Sequence, residues 1–440
     1  MKEKLTLKKD IKVILFLLLL ITITIYIFLQ NNVTNRNFDN VSTDEPKINY
    51  EITDTFESDS DIIEKIFANG MNQEDYKKIF ENESINMNNT GEYEKIDYDF
   101  ENIMHYSDFE KYLNGLSKVD IINLYKIGSS VDNRNIYNIE IGKGDKVLLI
   151  DSNIHSAEVA NTPILIKFLI DLTNKYVSGD KETIDILNRV KIAAIPCVNP
   201  DGYEVFNFGI ESINNKELWI YKNKDDVNTN NFKYNANGVD LNRNFPTQSG
   251  GLYYKDKDLI SSVSLSKTTK KYTYFGGETL GSEPETRAVM YQMLTHYKKA
   301  YAYINLHNQG RVIYSGKPNL SDEYNDITIS LCNRIGDITK YRVHGLEREE
   351  VGEGNDGTAS DFMAELANGF VFSTKTGRLS TSSYKNNNCT LKYSVPAIVV
   401  ETTRDYHRDP KYFKEEYYDH GVKEMLFDLL NYGISLQNNN

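Results

Sequence analysis

Three apolar stretches of this 440-residue chain each end in side chains that could bind a metal ion or move a proton. The first is followed by His155 and Glu158, the second by His307, and the third by Glu401. Two histidines and a carboxylate are a common ligand set of catalytic zinc, which keeps a fourth position for water. A further carboxylate can take the proton of that water as it attacks a carbonyl. The four residues therefore predict metal-assisted hydrolysis, with Glu401 as the general base.

The apolar stretches themselves have the length and composition of buried strands. They are Lys146–Asp151, Tyr301–Leu306 and Val395–Val400. Ligands of open α/β sheets bind beyond the carboxyl ends of the strands, which is where all four polar side chains stand. Taken singly, each has an ordinary explanation, such as a histidine at the edge of a loop or an ion pair between Glu401 and Arg404. Their repeated placement at strand ends favours one shared site.

Helical patterns alternate with these strands, and this alternation indicates an α/β fold. We expect a three-layer α/β/α sandwich with a mixed, largely parallel central sheet. Residues 207–237 are rich in Asn and Lys, and we expect them to form a loop. The residues Asn199–Gly202 predict a turn. The predicted helices include Ser107–Leu116, Val159–Tyr176, Asp180–Val190, a helix opened by the capping box at Ser282–Glu285, Ser321–Thr339, and Asp409–Tyr432.

Bulk composition excludes some classes of partner and of protein. The formal net charge is −13, so we expect no nucleic acid to bind. Three cysteines without a CxxC pair are too few for a disulfide framework. A hydrophobic content of 40% is sufficient for a large core. The sequence does not indicate an oligomeric state.

The chain divides into three parts. Residues 1–30 contain a cluster of lysines and then Val13–Leu29, seventeen residues without a charge, which predicts a cytoplasmic stub and a transmembrane signal anchor. A cleavable signal peptide is the alternative, although no small-residue cleavage pattern follows. Residues 31–97 are a polar linker or a small prosegment-like region, and residues 98–435 form the catalytic domain. We therefore expect a single-pass protein of the cell membrane whose catalytic domain lies outside the cytoplasm.

Six separated motifs carry a resemblance to a known family. From about residue 100 to 432 the chain resembles the zinc metallocarboxypeptidases of the carboxypeptidase A type. The motifs occur in the family's order: HSAE at 155–158 with NPDGYE at 199–204, GVDLNRNFP at 238–246, SEPET at 282–286, INLHNQG at 304–310 and PAIVVET at 396–402. The resemblance implies that His155, Glu158 and His307 hold one Zn²⁺ per chain. It also implies that Asn242 and Arg243 bind the terminal carboxylate of a substrate, for which a guanidinium fork is suited.

The chain departs from the family's pattern at several positions. Ala157 stands where relatives often have an arginine, and Ile220 follows Leu218–Trp219 where an oxyanion-stabilising arginine is usual. Lys222 or Lys233 could supply that cation instead. A substrate-stacking tyrosine is not identifiable, and the resemblance places Ser360 near the base of the specificity pocket.

Three functions are compatible with these residues. The first is a zinc carboxypeptidase that removes residues from the C-termini of peptides. The second is a cell-wall peptidase that cleaves γ-D-glutamyl-diaminopimelate bonds of peptidoglycan peptides, as bacterial members of the family do. The third is an inactive peptide-binding domain, which is disfavoured because such a module has no need of Glu401.

Overall fold

A computed structural model describes residues 84–223, 232–247, 275–277, 280–315, 320, 322–346, 357–372, 379–380 and 395–438. The predicted anchor within residues 1–30, and the linker up to residue 83, lie outside this part of the chain. Among the helices that are described, none has the length and apolar character needed to cross a membrane.

The centre of the fold is a mixed sheet of nine strands in the order β1-β2-β3-β5-β4-β6-β11-β7-β8, and β9 and β10 pair separately. The strands of the described chain are β1 Ile85–Asn86, β2 Ile122–Ser129, β3 Asn135–Ile141, β4 Lys146–Ser152, β5 Val190–Ile195, β6 Ala300–Asn308, β7 Val312–Ser315, β8 Arg342–Leu346, β9 Val371–Phe372, β10 Leu379–Ser380 and β11 Ala397–Thr402.

The sheet combines parallel and antiparallel pairs, and its four central strands are parallel. Strands β5, β4, β6 and β11 run parallel to one another, whereas β1, β2, β3 and β5 pair antiparallel. On the other side, β7 is antiparallel to β11 and parallel to β8. The expectation of a largely parallel sheet is therefore right for the four central strands and for β7 with β8, and wrong for β1, β2 and β3 and for the pairing of β7 with β11. Of the antiparallel pairs, β2 and β3 are joined by a short connection, which favours antiparallel pairing.

Helices cover both faces of the sheet. They are α1 Tyr106–Leu116, α2 Asn161–Val177, α3 Lys181–Arg189, α4 Pro200–Phe208, α5 Lys216–Asn223, α6 Pro284–His296, α7 Asp322–Thr339, α8 Ala359–Ala367, α9 Pro410–Asp419 and α10 Val422–Asn438.

Alternate residues of the central strands enter two separate cores, as the period of two in a strand requires. In β4, Leu148 and Ile150 pack in a core with residues of α1, α2 and α10. Val147 and Leu149 of the same strand pack in a second core with residues of α6 and α8. These two apolar layers confirm the predicted α/β/α sandwich and explain why the strands read as continuous apolar runs.

Three local predictions are wrong. Residues 207–237 are not all loop, because α5 lies within them and buries Trp219 against Phe232. Asn199–Gly202 is the start of α4, where the Asn199 side chain accepts a hydrogen bond from the backbone N–H of Gly202. The predicted helix from Asp409 to Tyr432 is two helices, and Gly421 between them has a φ of +72°.

Two helix starts also differ from the predicted capping. Helix α1 begins one residue before Ser107, with His105 as its N-cap. At the start of α6 the Ser282 hydroxyl bonds to the carboxylate of Glu283, so the predicted capping box does not form. The helices themselves occur where their apolar periodicity predicts them.

The chain contacts the sheet before residue 98. Strand β1 pairs with β2, and Tyr93 and Ile96 pack against the first core. The division of the chain at residues 97 and 98 stays a prediction, and residues 84–97 are part of the described fold.

Candidate metal centre and substrate site

The three predicted metal ligands lie together in the structure. His155 and Glu158 follow β4, and His307 stands near the end of the neighbouring strand β6. One oxygen of Glu158 is 2.7 Å from Nδ1 of His155, and the other is 2.8 Å from Nδ1 of His307. All three side chains are buried, and one ligand atom from each lies within 4.8 Å of the others. Two imidazole nitrogens and a carboxylate suit zinc.

The electrostatics of this cluster follow from burial and mutual charge. Burial alone would raise the pKa of Glu158, but His155 and His307 hold that pKa well below its ordinary value. Burial alone would lower the pKa of His155, but the carboxylates of Glu158 and Asp240 keep it above its ordinary value. Because a metal binds the neutral imidazole, protons compete for His155 as the pH falls.

Glu401 lies beside this cluster because of the register of the sheet. Strand β11 is parallel to β6, and Glu401 is the direct partner of His307. Neighbouring strands are about 4.8 Å apart. The side chains of Glu401 and His307 therefore lie side by side at the carboxyl ends of β11 and β6. Glu401 is partly exposed, unlike the three predicted ligands. A partly exposed glutamate next to three buried, predicted metal ligands is suitably placed to exchange protons with a water or a substrate.

Asp240 connects the predicted ligands to the predicted carboxylate-binding residues, and sequence reasoning did not assign it this role. Its Oδ1 lies 3.2 Å from Nε2 of His155 and accepts a 3.1 Å hydrogen bond from the backbone N–H of Asn242. A carboxylate on the far nitrogen of a ligating histidine fixes the ring's orientation and tautomer. The signal was present in the GVDLNRNFP motif, two residues before Asn242.

Asn242 and Arg243 lie in the 3₁₀ turn Leu241–Arg243, directly after Asp240. The side-chain oxygen of Asn242 accepts a 2.9 Å hydrogen bond from the backbone of Ala359, which brings the start of α8 to this turn. Ser360 follows Ala359 and is buried, with its hydroxyl 3.1 Å from that of Thr358. Arg243 is buried and bonds through Nη1 to the Asn242 carbonyl at 2.6 Å. Asp201 of the NPDGYE motif pairs with Arg134 at 2.9 Å and is therefore engaged elsewhere.

Asn161 is a second residue that the sequence did not indicate. It is fully buried at the start of α2 and donates a 2.8 Å hydrogen bond to the backbone carbonyl of His307. Its side-chain oxygen accepts a 2.7 Å hydrogen bond from Thr402, the residue after Glu401. Asn161 therefore fixes the ends of β6 and β11 relative to each other, and with them His307 and Glu401.

The loop that carries His155 and Glu158 also requires a close approach by another segment. A Cβ atom on Gly202 would lie 2.0 Å from the Ser156 hydroxyl, so only glycine fits at this position of α4. Gly357 has a comparable constraint, because its φ is +86° and an added Cβ would lie 2.8 Å from the Arg243 carbonyl. The first contact packs Ser156 against the backbone of α4, and the second packs the backbone of Arg243 against that of Gly357.

A buried carboxyl supports the segment that leads to Asp240. Glu285 accepts hydrogen bonds from the Asn235 amide at 3.0 Å and from the backbone of Val131 at 3.2 Å. Burial, reinforced by the charges of Glu283 and Asp201, raises the pKa of Glu285 to about 8.

This raised pKa predicts a dependence of stability on pH. Between about pH 4.5 and 8 the folded protein holds a proton on Glu285 that the unfolded chain has lost, so stability falls as the pH rises. The contribution approaches about 1.4 kcal/mol per pH unit. We expect Glu285→Gln to remove this slope in urea unfolding measured from pH 5 to 9. The exposed Glu182→Gln is the control, and an unchanged slope in Glu285→Gln would contradict the assignment.

Comparison with known proteins agrees with this geometry. Residues 109–412 match the zinc carboxypeptidase family, and the chain belongs to that family. Among curated relatives, the chain is 29% identical over 240 residues to gamma-D-glutamyl-L-diamino acid endopeptidase 1 of Lysinibacillus sphaericus. It is 27% identical over 216 residues to mast cell carboxypeptidase A of Mus musculus. These alignments span 52% and 47% of this chain, and 57% and 46% of the relatives, so less than two thirds of each relative is covered.

Solved carboxypeptidases share the fold. Carboxypeptidase A from Helicoverpa armigera aligns with a TM-score of 0.52 at 18% identity, covering 78% of this chain and 77% of that one. Bovine thrombin-activatable fibrinolysis inhibitor, solved in complex with tick carboxypeptidase inhibitor, aligns with a TM-score of 0.52 at 18% identity. That alignment covers 76% of this chain and 99% of the other.

Proposed function

We propose that this protein is a zinc metallocarboxypeptidase that hydrolyses the C-terminal bond of peptides. The observation that carries the proposal is the convergence of His155, Glu158 and His307 beside Glu401, with Arg243 linked to the cluster through the turn after Asp240. Membership of the zinc carboxypeptidase family supports the same conclusion.

His155, Glu158 and His307 would hold one zinc ion. Their donor atoms are of the type that zinc prefers, they are buried, and their orientation is fixed from outside. Asp240 contacts the far nitrogen of His155, and the backbone N–H of Asn308 donates to Glu158 at 3.2 Å. When bound, zinc supplies a Lewis acid that polarises a carbonyl and lowers the pKa of a coordinated water to about 7.

Glu401 would move the proton. As general base it accepts a proton from the attacking water, and as general acid it returns that proton to the amine that leaves. Its pairing with His307 across the two parallel strands supports this role. Partial exposure lets it reach a substrate that enters from solvent.

Arg243 and Asn242 would bind the terminal carboxylate of the substrate. A guanidinium group can hold a carboxylate through two parallel hydrogen bonds, and an internal peptide bond offers no such group. This requirement makes the enzyme an exopeptidase. The bond between Asn242 and the start of α8 fixes the position of the two residues.

Replacing Arg243 tests this arrangement. We expect Arg243→Ala to raise KM for free-acid peptides about 10- to 100-fold, because a charge-assisted hydrogen bond contributes about 1.5–3 kcal/mol. The measurement is steady-state hydrolysis of a dipeptide with a blocked N-terminus. Arg134→Ala is the control for general destabilisation, because Arg134 pairs with Asp132 and Asp201 instead of facing the proposed substrate site. An Arg243→Ala enzyme with an unchanged KM would contradict the role.

A second candidate function concerns cell-wall peptides. The relative from Lysinibacillus sphaericus is a gamma-D-glutamyl-L-diamino acid endopeptidase by name, and its alignment includes 52% of this chain. A muropeptide containing a γ-D-glutamyl-diaminopimelate bond is therefore a substrate to be tested beside ordinary peptides.

We also propose that residues 1–30 anchor the chain in the cell membrane with the catalytic domain outside the cytoplasm. The lysine cluster and the uncharged segment Val13–Leu29 support this proposal. Fractionation of cells that express the full chain should place it in the membrane, and deletion of residues 1–30 should release it. Recovery of the full chain in the soluble fraction would contradict the anchor.

A further inference from the structure

We propose that Lys233 is the cation that stabilises the negative charge developing on the carbonyl oxygen of the attacked peptide bond. The inference rests on the proposed peptidase function and identifies a catalytic residue within it. Two lysines, Lys222 and Lys233, are candidates on sequence grounds, and the structure distinguishes between them.

The backbone around Lys233 is fixed against the loop that carries His155 and Glu158. The N–H of Ser156 donates to the carbonyl of Lys233 at 3.4 Å, and the N–H of Ala157 donates to that of Phe232 at 2.8 Å. The Ser156 hydroxyl bonds to the carbonyl of Tyr234. Three consecutive carbonyls, from Phe232 to Tyr234, thus accept hydrogen bonds from the two residues between the predicted metal ligands.

A turn then returns the chain from Lys233 to Asp240. Asn235 donates a 3.1 Å backbone hydrogen bond to Val239, and Gly238 donates one of 3.0 Å to Asn235. Asp240 contacts His155 directly after this turn. Lys233 is therefore held close to the predicted metal centre by the ligand loop on one side and by the Asp240 turn on the other.

The side chain of Lys233 is half-buried, so a charge on it is only partly screened by water. Because the backbone of residues 232–234 is bonded to Ser156 and Ala157, the long side chain of Lys233 starts within reach of the predicted zinc ligands.

Lys222 has a different setting. It lies in the last turn of α5, whose final residue, Asn223, donates hydrogen bonds to the carbonyls of Asn235 and Ala236. These contacts join the end of α5 to the turn beyond Lys233. Lys222 is therefore the natural control.

A cation at this place would assist the chemistry in addition to zinc. Attack of water on the peptide carbonyl converts a neutral oxygen into one with negative charge, while Glu401 takes the proton of that water. A fixed positive charge near the oxygen lowers the energy of this state more than that of the substrate, and loss of one such group typically costs about 10²–10³ in rate. Ile220, which follows Leu218–Trp219, is uncharged and cannot supply this charge.

The test compares Lys233→Met, Lys233→Arg and Lys222→Met in the full zinc-loaded chain. We expect Lys233→Met to lower kcat about 10²–10³-fold while KM changes by less than about threefold. Lys233→Arg should restore a large part of the rate, because it keeps the charge, and Lys222→Met should resemble the parent. Zinc content measured for each variant shows whether the centre is intact.

A binding measurement gives a readout that does not depend on turnover. A peptide phosphonate, whose tetrahedral anionic group imitates the attacked carbonyl, should bind Lys233→Met at least about 10²-fold more weakly by calorimetry. Binding of the product amino acid should change little. Equal phosphonate affinity in Lys233→Met and the parent, or a loss confined to Lys222→Met, would overturn the assignment. A parent enzyme that hydrolyses no peptide at all would instead contradict the proposed function.

Discussion

Glu401→Gln should lose nearly all turnover while it keeps its zinc. The substitution preserves the size of the side chain and removes its ability to accept a proton. General acid–base catalysis contributes about 10²–10⁴ in rate, and the same carboxylate would act in both steps, so we expect kcat to fall at least about 10³-fold. Steady-state kinetics on a free-acid peptide measure the loss, and atomic absorption measures the metal.

The control for this variant separates chemistry from structure. Glu401 is the strand partner of His307, so a general disturbance of β11 would also disturb the predicted ligand set. Zinc content near one per chain, together with unchanged binding of the product amino acid, would show that the site is intact. A Glu401→Gln enzyme that retains more than a tenth of the parent kcat would contradict its role as general base.

Glu158→Gln should lose the metal itself. Glu158 is buried between His155 and His307, and its carboxylate is the only anionic member of the proposed ligand set. An amide is a poorer ligand for zinc, and it leaves the two histidines without their charge partner. We expect the purified variant to contain much less than one zinc per chain after dialysis, and its activity to fall in proportion.

Asp240→Asn provides the matched comparison for Glu158→Gln. Asp240 contacts His155 without belonging to the ligand set, so its replacement should weaken zinc binding only about 10- to 100-fold. Zinc affinity, measured by competition with a chelator, should therefore be highest in the parent, lower in Asp240→Asn and lowest in Glu158→Gln. A Glu158→Gln protein that keeps zinc as tightly as the parent would rule out this ligand set.

The central strands and their polar ends were predictable from the sequence for a physical reason. Parallel strands are buried on both faces, so β4, β6 and β11 read as apolar runs, and a His or Glu directly after such a run is conspicuous. The ligand set could therefore be inferred before any distance was known. The structure adds the register, in which Glu401 of β11 is the direct partner of His307 in the parallel strand β6.

Contacts between segments far apart in sequence could not be predicted in the same way. The roles of Asp240 and Asn161 depend on which loop each side chain meets, and hydrophobic periodicity carries no information about that. Lys222 and Lys233 are equivalent in the sequence, and only the pairing of residues 232–234 with Ser156 and Ala157 distinguishes them.

Local signals also had more than one structural meaning. Asn-Pro-Asp-Gly favours a turn, but the same residues supply an N-cap at Asn199 and a proline at the first position of α4. The apolar period continues through Gly421, although its backbone has a positive φ and an added Cβ would lie 2.8 Å from the carbonyl of Ile338. In both places the packing of neighbouring segments decided the outcome.

The most direct test offers the zinc-loaded protein three substrates: a free-acid peptide, the same peptide with a C-terminal amide, and a muropeptide with a γ-D-glutamyl-diaminopimelate bond. Mass spectrometry of the products shows which bond is cut, and a chelator-treated sample is the control. We predict loss of single C-terminal residues from the free acid, little reaction with the amide, and none after chelation. Equal cleavage of the amidated peptide, or activity that survives removal of the metal, would contradict a zinc carboxypeptidase that recognises a free carboxylate.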